Sequence, residues 1–306
     1  MNIYSQISAN KTKTWLIIVI FILFITTILF IYGKASGYGW SYAGIGLIIS
    51  GLMTFASYYY SDKMILGMSG AKQIVKKDRP QLFRTVENLC IGAGIPMPKI
   101  YIINDSATNA FATGRDPKHS VVCVTTGILE KLNKAELEGV IAHELSHVQN
   151  YDIRVMSIVV VLVGLVALLA DFFMRSLWYG SPRFGEAGGH RRDRESSNAQ
   201  SIFLLIGIIL AVLSPIVATL IQLAVSRKRE FLADASGALL TRYPEGLASA
   251  LVKIAKDKEP LEVANNATAH LYISNPFKSK VSGHWFTNLF NTHPPIEERI
   301  KILRSM

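Results

Sequence analysis

The chain has 306 residues, half of them hydrophobic, and it carries a formal net charge of +10. Its mean hydropathy of +0.30 is too high for an ordinary soluble enzyme and indicates a domain combined with membrane spans. The basic charge fits either nucleic acid or a membrane face with anionic lipid. The long apolar segments favour the lipid bilayer and argue against nucleic acid as a partner. The two cysteines, Cys90 and Cys123, form no disulfide or metal-binding pattern, which fits a reducing compartment.

Two apolar segments near the N-terminus predict a transmembrane hairpin over residues 1–60. The first, Trp15–Tyr32, has about 18 residues, which is enough to cross a bilayer, and a cleaved signal peptide is the alternative. The second, about Trp40–Tyr60, follows after a short turn and favours the hairpin. Lys11 and Lys13 precede the hairpin and a lysine-rich stretch follows it, so both ends are expected in the cytoplasm.

Residues 61–154 predict the first part of a soluble domain. A helix is expected from Pro80 to about Gly92, and strands are expected at 99–103, 109–113 and 120–125. The strands predict a small sheet. A strand at its edge either pairs with an extended peptide or forms a simple structural hairpin, and the sequence favours neither.

The pattern H-E-x-x-H is formed by His143, Glu144 and His147, and its flanks predict a helix that begins with a capping arrangement of Asn133 and Glu136. Residues i and i+4 share one helix face, so both histidines can present ring nitrogens to one metal ion. Glu144 lies close enough to bond a water on that ion. Two imidazoles suit Zn²⁺. The alternative is that two surface histidines have this spacing by chance. A third ligand elsewhere in the chain would favour the metal site.

Residues 155–225 predict a second hairpin, either transmembrane or re-entrant. Its apolar segments are Val155–Ala170 and Ile202–Val225, joined at 180–200 by a flexible loop of glycine, serine and charged residues. If both segments cross fully, the arginines of that loop lie outside, against the positive-inside rule, so the re-entrant alternative stays open. Asp171 is expected at the membrane interface.

Residues 226–306 predict the second part of the soluble domain, where Glu230 and Asp234 share one face of a helix. A catalytic zinc takes three protein ligands and keeps one position open. Glu230 suits the third ligand, and Asp234 suits a group that holds a ligating imidazole. A solvated, charged helix end is the alternative, but the upstream motif lacks only a carboxylate and favours the ligand role. His293 is either a structural histidine at the start of a final helix or a residue of the active site.

Together these features resemble the HtpX family, membrane-bound zinc metalloproteases of bacteria and archaea that are related to the CAAX prenyl proteases. The resemblance covers nearly the whole chain and rests on the N-terminal hairpin and on five motifs in the same order: Pro98–Tyr101, Asn109–Gly114, His143–His147, Arg229–Asp234 and Thr292–Pro295. It implies one zinc ion per chain, held by His143, His147 and Glu230. It also implies that Glu144 is the catalytic base.

The resemblance further implies that Asp234 supports a ligating histidine, that Asn109 and Ala110 belong to a substrate-binding edge, and that His293 lies near the transition state. The expected fold is a mostly α membrane protein. Four apolar helices accompany a cytoplasmic α+β zincin-like (gluzincin) protease domain with a small sheet. The expected function is a multi-pass endopeptidase of the cytoplasmic membrane that cuts misfolded or damaged membrane proteins and unfolded polypeptides at the cytoplasmic face.

Two other functions are weighed against this one. An intramembrane protease would hold the motif inside the bilayer, but too many charges flank it: Lys131, Lys134, Glu136, Glu138, Asp152 and Arg154. A non-catalytic membrane scaffold with a structural metal would close the site with four protein ligands. The sequence offers three candidate metal ligands and no convincing fourth. A structural site would also leave Glu144 without a role.

Overall fold

The computed structural model describes residues 3–35, 40–179, 227–265, 268–277 and 294–306. The chain divides into two units. The first comprises the described parts of Met1–Thr14, Ser57–Val161 and Leu220–Met306, and the second those of Trp15–Ala56 and Leu162–Thr219. The loop at 180–200, the apolar segment Ile202–Val225 and His293 lie outside the described residues.

Two long apolar helices begin the chain, α1 (Ile3–Ala35) and α2 (Trp40–Met68). Both are long and apolar enough to cross a membrane, with hydropathies of 2.9 and 1.3. A Cβ on Gly46 of α2 would lie 3.0 Å from the Cα of Thr26, so the two helices pack closely there. The predicted pair of N-terminal spans is confirmed as two candidate spans, while four apolar helices stay a prediction.

Helix α1 begins well before its apolar segment. The polar residues up to Thr14 continue the helix on its N-terminal side and belong to the first unit, whereas the apolar part belongs to the second. The sequence assigned no structure to these polar residues. These polar residues therefore belong to the same unit as the H-E-x-x-H helix.

The first unit contains a small mixed sheet of four strands: β1 (Lys72–Gln73), β2 (Lys99–Ile103), β3 (Ala110–Gly114) and β4 (Ser120–Thr125). Their order is β1-β2-β4-β3; β2 and β4 are parallel and the other pairs are antiparallel. The predicted strands at 99–103 and 120–125 are confirmed, and the one predicted at 109–113 lies one residue later. Strand β3 forms one edge of this sheet.

Helices cover the sheet and build the core of the first unit: α3 (Pro80–Ala93), α4 (Thr126–Lys131), α5 (Lys134–Gln149), α6 (Asp152–Tyr179, the first part only), α7 (Arg227–Thr241), α8 (Pro244–Lys256) and α9 (Ile296–Arg304). Val140, Ile141 and Leu145 of α5 are buried in one cluster with Leu247 of α8 and Val122 of β4. These three residues form an apolar stripe on one side of α5. The H-E-x-x-H helix is therefore central to the core of this unit.

A sharp turn separates α5 from α6. Tyr151 has a φ of 61°, in the left-handed region that side chains rarely adopt, and the two helix axes bend by 83°. The described part of α6 starts at Asp152, three residues before the predicted apolar segment, and continues through Asp171. If α5 and α6 were one broken span, the described residues would contain three candidate spans instead of two. The turn brings Asp152 back towards the end of α5.

Candidate metal centre

Helix α5 is held in place at its N-terminus by the predicted capping box. The Asn133 side chain accepts a hydrogen bond from the Glu136 backbone N–H at 2.9 Å, and the Glu136 carboxylate accepts one from the Asn133 N–H at 2.8 Å. Asn150 caps the other end. His143 and His147 lie four residues apart, so their side chains project from one face of this helix, and both are buried.

Helix α7 approaches α5 through a glycine. Glu230, Asp234 and Gly237 recur along one buried face of α7. A Cβ on Gly237 would lie 3.0 Å from the backbone nitrogen of His143, which is closer than side chains normally come. The absence of a side chain at Gly237 allows the two helices to approach closely, and this approach brings both carboxylates of α7 to the histidines of α5.

His143, His147 and Glu230 are brought together at this contact. Each offers one ligand atom, and these atoms all lie within 4.8 Å of one another. The Nε2 atoms of the two histidines are 3.2 Å apart, and Glu230 carboxylate oxygens lie 3.8 Å from the Nε2 of His143 and 3.5 Å from that of His147. Two imidazoles and one carboxylate are a donor set of catalytic zinc sites, so these residues fit a divalent metal ion.

Asp234 lies where the sequence analysis expects it, beside His143. Its Oδ1 is 2.9 Å from the Nδ1 of His143. The fully buried Arg299 of α9 also binds this carboxylate, donating from Nε to Oδ2 at 2.8 Å and from Nη2 to Oδ1 at 2.6 Å. Burial acts to raise the pKa of Asp234, but Arg299 and His143 hold that pKa below its usual range. The charged carboxylate can therefore accept the Nδ1 hydrogen of His143 and leave its Nε2 free for a metal.

The Nδ1 of His147 is also bound by an aspartate. The Nδ1 of His147 lies 3.0 Å from the Oδ2 of Asp152, which is itself buried. Burial acts to lower the pKa of His147, but the bond to Asp152 and the nearby carboxylates, Glu230 first among them, raise it to about 9. Each histidine of the pair thus has its own aspartate, which orients the ring.

Two residues of the metal centre, Asp152 and Arg299, are not among those predicted from the sequence. Asp152 lies 5 residues after His147, a spacing from which its role could be predicted, although the sequence alone shows it only as one of several charges near the motif. Arg299 lies far along the chain and gives no local signal. Only the packing of α9 brings it to Asp234.

Glu144 is buried next to the three ligand residues. Burial is the main cause that raises its pKa, to about 7, while His147 and Arg299 act to lower it. The backbone N–H of Ala112 in β3 also donates to its carboxylate. A carboxyl group with a pKa near 7 can take up and release a proton close to neutral pH.

The predicted substrate-binding residues Asn109 and Ala110 lie at the edge of β3, and both are buried. The Asn109 amide donates to the Ser274 carbonyl at 3.3 Å, and the Ala110 carbonyl accepts from the Ile273 N–H at 3.0 Å. A segment of the chain itself therefore lies along this part of the edge. His293, the remaining predicted site residue, is outside the described part of the chain.

Known proteins resemble the chain over most of its length. The model of peptidase family M48 matches residues 76–306. A "Protease HtpX homolog" from Dictyoglomus thermophilum is 47% identical and covers 99% of this chain and 94% of its own. Two further proteins of the same name are also similar. The one from Caldanaerobacter subterraneus subsp. tengcongensis is 46% identical over 99% of this chain and 98% of its own. The one from Lactobacillus helveticus is 43% identical over 99% of this chain and 100% of its own. The crystal structure of S. mikatae Ste24p gives a TM-score of 0.48 at 19% identity, over 95% of this chain and 66% of that one.

Proposed function

The chain belongs to peptidase family M48 and is a membrane-bound metalloprotease, and on this premise we propose that it is a zinc endopeptidase with Glu144 as its catalytic base. His143, His147 and Glu230 are the proposed metal ligands. The proposal rests above all on one observation: the ligand atoms of these three residues lie within 4.8 Å of one another, and the buried Glu144 carboxylate is beside them.

The chemistry divides between the metal and the side chains around it. When bound, Zn²⁺ supplies Lewis acidity, which polarises the substrate carbonyl and acidifies water. Glu144 removes a proton from the attacking water and delivers it to the amine nitrogen that leaves, and burial, which raises the pKa of this carboxyl group, makes it a better base than an exposed glutamate. Asp234 and Asp152 accept the Nδ1 hydrogens of the histidines, so the lone pairs on both Nε2 atoms are directed to the metal position.

We place the substrate main chain along the edge of β3. An extended peptide that pairs with Asn109 and Ala110 would place its scissile bond near Glu144, because the neighbouring Ala112 already donates to that carboxylate. Such a peptide has to replace the Ile273 N–H as the partner of the Ala110 carbonyl. His293 is proposed to donate to the oxyanion that forms in the transition state.

The membrane arrangement is also a proposal. Two candidate spans are present among the described residues, and the apolar segments Val155–Ala170 and Ile202–Val225 are proposed as a second hairpin. Lysines on both sides of the first hairpin support an active site on the cytoplasmic side. Misfolded or damaged membrane proteins that reach this face are the proposed substrates, which makes membrane protein quality control the proposed role.

Cleavage of an unfolded polypeptide tests this function. Casein cleavage by the purified full-length protein in detergent is measured before removal of metal by a chelator, after its removal, and again after Zn²⁺ is restored. We expect cleavage to stop when the metal is removed and to return with Zn²⁺. Full cleavage by the metal-free protein would overturn the proposed function.

A further inference from the structure

Helix α1 places a buried polar side chain, Asn10, beside the metal centre. Asn10 is 1% exposed. Its Nδ2 donates to the Oδ1 of Asp152 at 2.7 Å and to the Asn150 carbonyl at 2.9 Å, and its Oδ1 accepts from the Nη1 of Arg229 at 3.1 Å. All of these residues belong to the first unit. The amide of Asn10 therefore connects α1, the start of α6 and the start of α7.

These contacts continue directly to a proposed metal ligand. Asp152 binds Asn10 through Oδ1, and it binds the Nδ1 of His147 through Oδ2 at 3.0 Å. The Nη1 of Arg229 lies 3.4 Å from the same Oδ1. One carboxylate oxygen is thus held by α1 and α7, and this leaves the other aimed at the histidine. A buried carboxylate without such partners would carry a desolvation cost and lose its fixed orientation.

An asparagine suits this position better than a charged or apolar residue. Its two N–H groups face a carboxylate and a carbonyl, while its oxygen faces a guanidinium, so every polar atom of the amide has a partner. An aspartate would place a second carboxylate against Asp152. An alanine would remove the short hydrogen bond to Oδ1 of Asp152, leaving that oxygen only the longer contact with Arg229, and would remove the donor to the Asn150 carbonyl.

We propose that Asn10 is a positioning residue of the metal centre: its amide holds Asp152 in the orientation that binds His147, so the N-terminal helix takes part in metal binding as well as in anchoring the chain. The inference rests on the proposed role of His147 as a ligand. Removal of a group that bonds a metal ligand directly, as Asp152 bonds His147, typically costs about 10–100-fold in metal affinity, and Asn10 acts one contact further out.

Zinc affinity of the full-length protein in detergent, measured by competition with a coloured chelator, tests the inference without any need for cleavage. Asn10→Ala is expected to weaken zinc binding by about tenfold, the lower end of the range for a direct partner of a metal ligand. Asn10→Asp keeps the size of the side chain and its acceptor for Arg229, and is expected to weaken zinc binding as well. This second variant serves if Asn10→Ala does not fold. Zinc affinity equal to that of the wild type in the folded variants would overturn the inference.

Thr14 provides the matched control. It lies one turn further along α1 and is also 1% exposed, and within the described part of the chain its hydroxyl donates to the Asn10 carbonyl, at 2.9 Å. Thr14→Val should disturb the packing of α1 to a similar extent and leave zinc affinity unchanged. An equal loss of affinity in Thr14→Val would mean that any damage to this helix weakens the site, and the specific role of Asn10 would be wrong.

A double-mutant comparison separates positioning from general stability. If Asn10 acts through Asp152, the loss caused by Asn10→Ala should largely disappear in an Asp152→Ala background. The same fold-loss in both backgrounds would overturn the inference. The variant His147→Ala separates failure of the proposed metal centre from failure of the proposed role of Asn10. Wild-type zinc affinity in His147→Ala would refute the proposed metal centre itself, whereas loss of zinc there with normal binding in Asn10→Ala would refute only the role of Asn10.

Discussion

Arg299 binds Asp234 through two parallel hydrogen bonds, 2.8 Å from Nε to Oδ2 and 2.6 Å from Nη2 to Oδ1, and both side chains are almost completely buried. The Nη1 of Arg299 also donates to the Ile273 carbonyl at 3.2 Å. The same Asp234 oxygen that accepts from Nη2 lies 2.9 Å from His143. The C-terminal helix thus holds the aspartate that orients a proposed metal ligand.

Arg299→Lys should weaken zinc binding and lower the melting temperature. Lysine keeps the positive charge but cannot form the planar, two-bond contact with Asp234. Arg299→Ala should be more severe, because it leaves the Asp234 carboxylate buried without its cation, a change that typically costs about 3–5 kcal/mol. Thermal unfolding in detergent and zinc titration measure the two effects.

Arg304 supplies the control for this pair. It makes the same two-bond contact with Glu245, at 3.1 and 3.0 Å, but at the surface. Water screens an exposed pair, so Arg304→Lys should leave the melting temperature and the zinc affinity unchanged. Equal effects of the two lysine substitutions would contradict the importance assigned to burial at Asp234.

Gly237→Ala should destabilise the metal centre, although alanine favours helices. The new Cβ would lie 3.0 Å from the backbone nitrogen of His143, and a backbone atom cannot move aside as a flexible side chain can. Overpacking of this kind typically costs about 1–3 kcal/mol. The two helices would separate, and zinc titration should show weaker binding because Glu230 moves away from the histidines.

Gly51→Ala is the matched control, since no atom of the described residues lies within 4 Å of a Cβ built there. It should be neutral or slightly stabilising, by up to about 1 kcal/mol from helix propensity. If Gly237→Ala bound zinc as tightly as Gly51→Ala, the close contact between α5 and α7 would not be needed for the site.

Zinc affinity should rise with pH because a proton and the metal compete for His147. The pKa of this histidine in the metal-free protein is raised from 6.5 to about 9. Its proton therefore stabilises the metal-free fold fully below about pH 6.5, and this contribution is lost as pH rises through 9. Zinc needs the neutral imidazole, so affinity should increase up to about tenfold per pH unit between pH 6 and 8. Competition titrations across this range that show no change with pH would contradict the assignment of His147 as a ligand.

Local signals in the sequence predicted the elements that form the metal centre. The capping residues Asn133 and Glu136 mark the start of α5, and short runs of β-branched and other apolar residues mark β2 and β4. The chemistry of a three-ligand zinc site pointed to Glu230 as a candidate, because the histidine motif lacks a carboxylate. In the structure the ligand atoms of Glu230 and of the two histidines lie within 4.8 Å of one another.

The groups that support the ligands could not be predicted in the same way. Asp152 reaches His147 only because Tyr151 takes a left-handed conformation that turns the chain sharply. Asn10 and Arg299 lie close to opposite ends of the chain, and each is buried through tertiary contacts with no local periodicity. The sequence does not distinguish a buried arginine or asparagine from an exposed one. The partners of Asn10 and Arg299 are therefore known only from the packing of α1 and α9.

The role of Glu144 is tested most directly by comparing wild type, Glu144→Gln and Glu138→Gln for bound zinc and for cleavage of casein. Glu138 lies on the same helix but pairs with Lys134 at the surface, so its variant controls for the loss of a carboxylate from α5. All three proteins should bind one zinc ion, and only Glu144→Gln should lose cleavage, by at least about 10²–10⁴-fold. Cleavage at the wild-type rate by a folded, zinc-bound Glu144→Gln protein would contradict the assignment of Glu144 as the catalytic base.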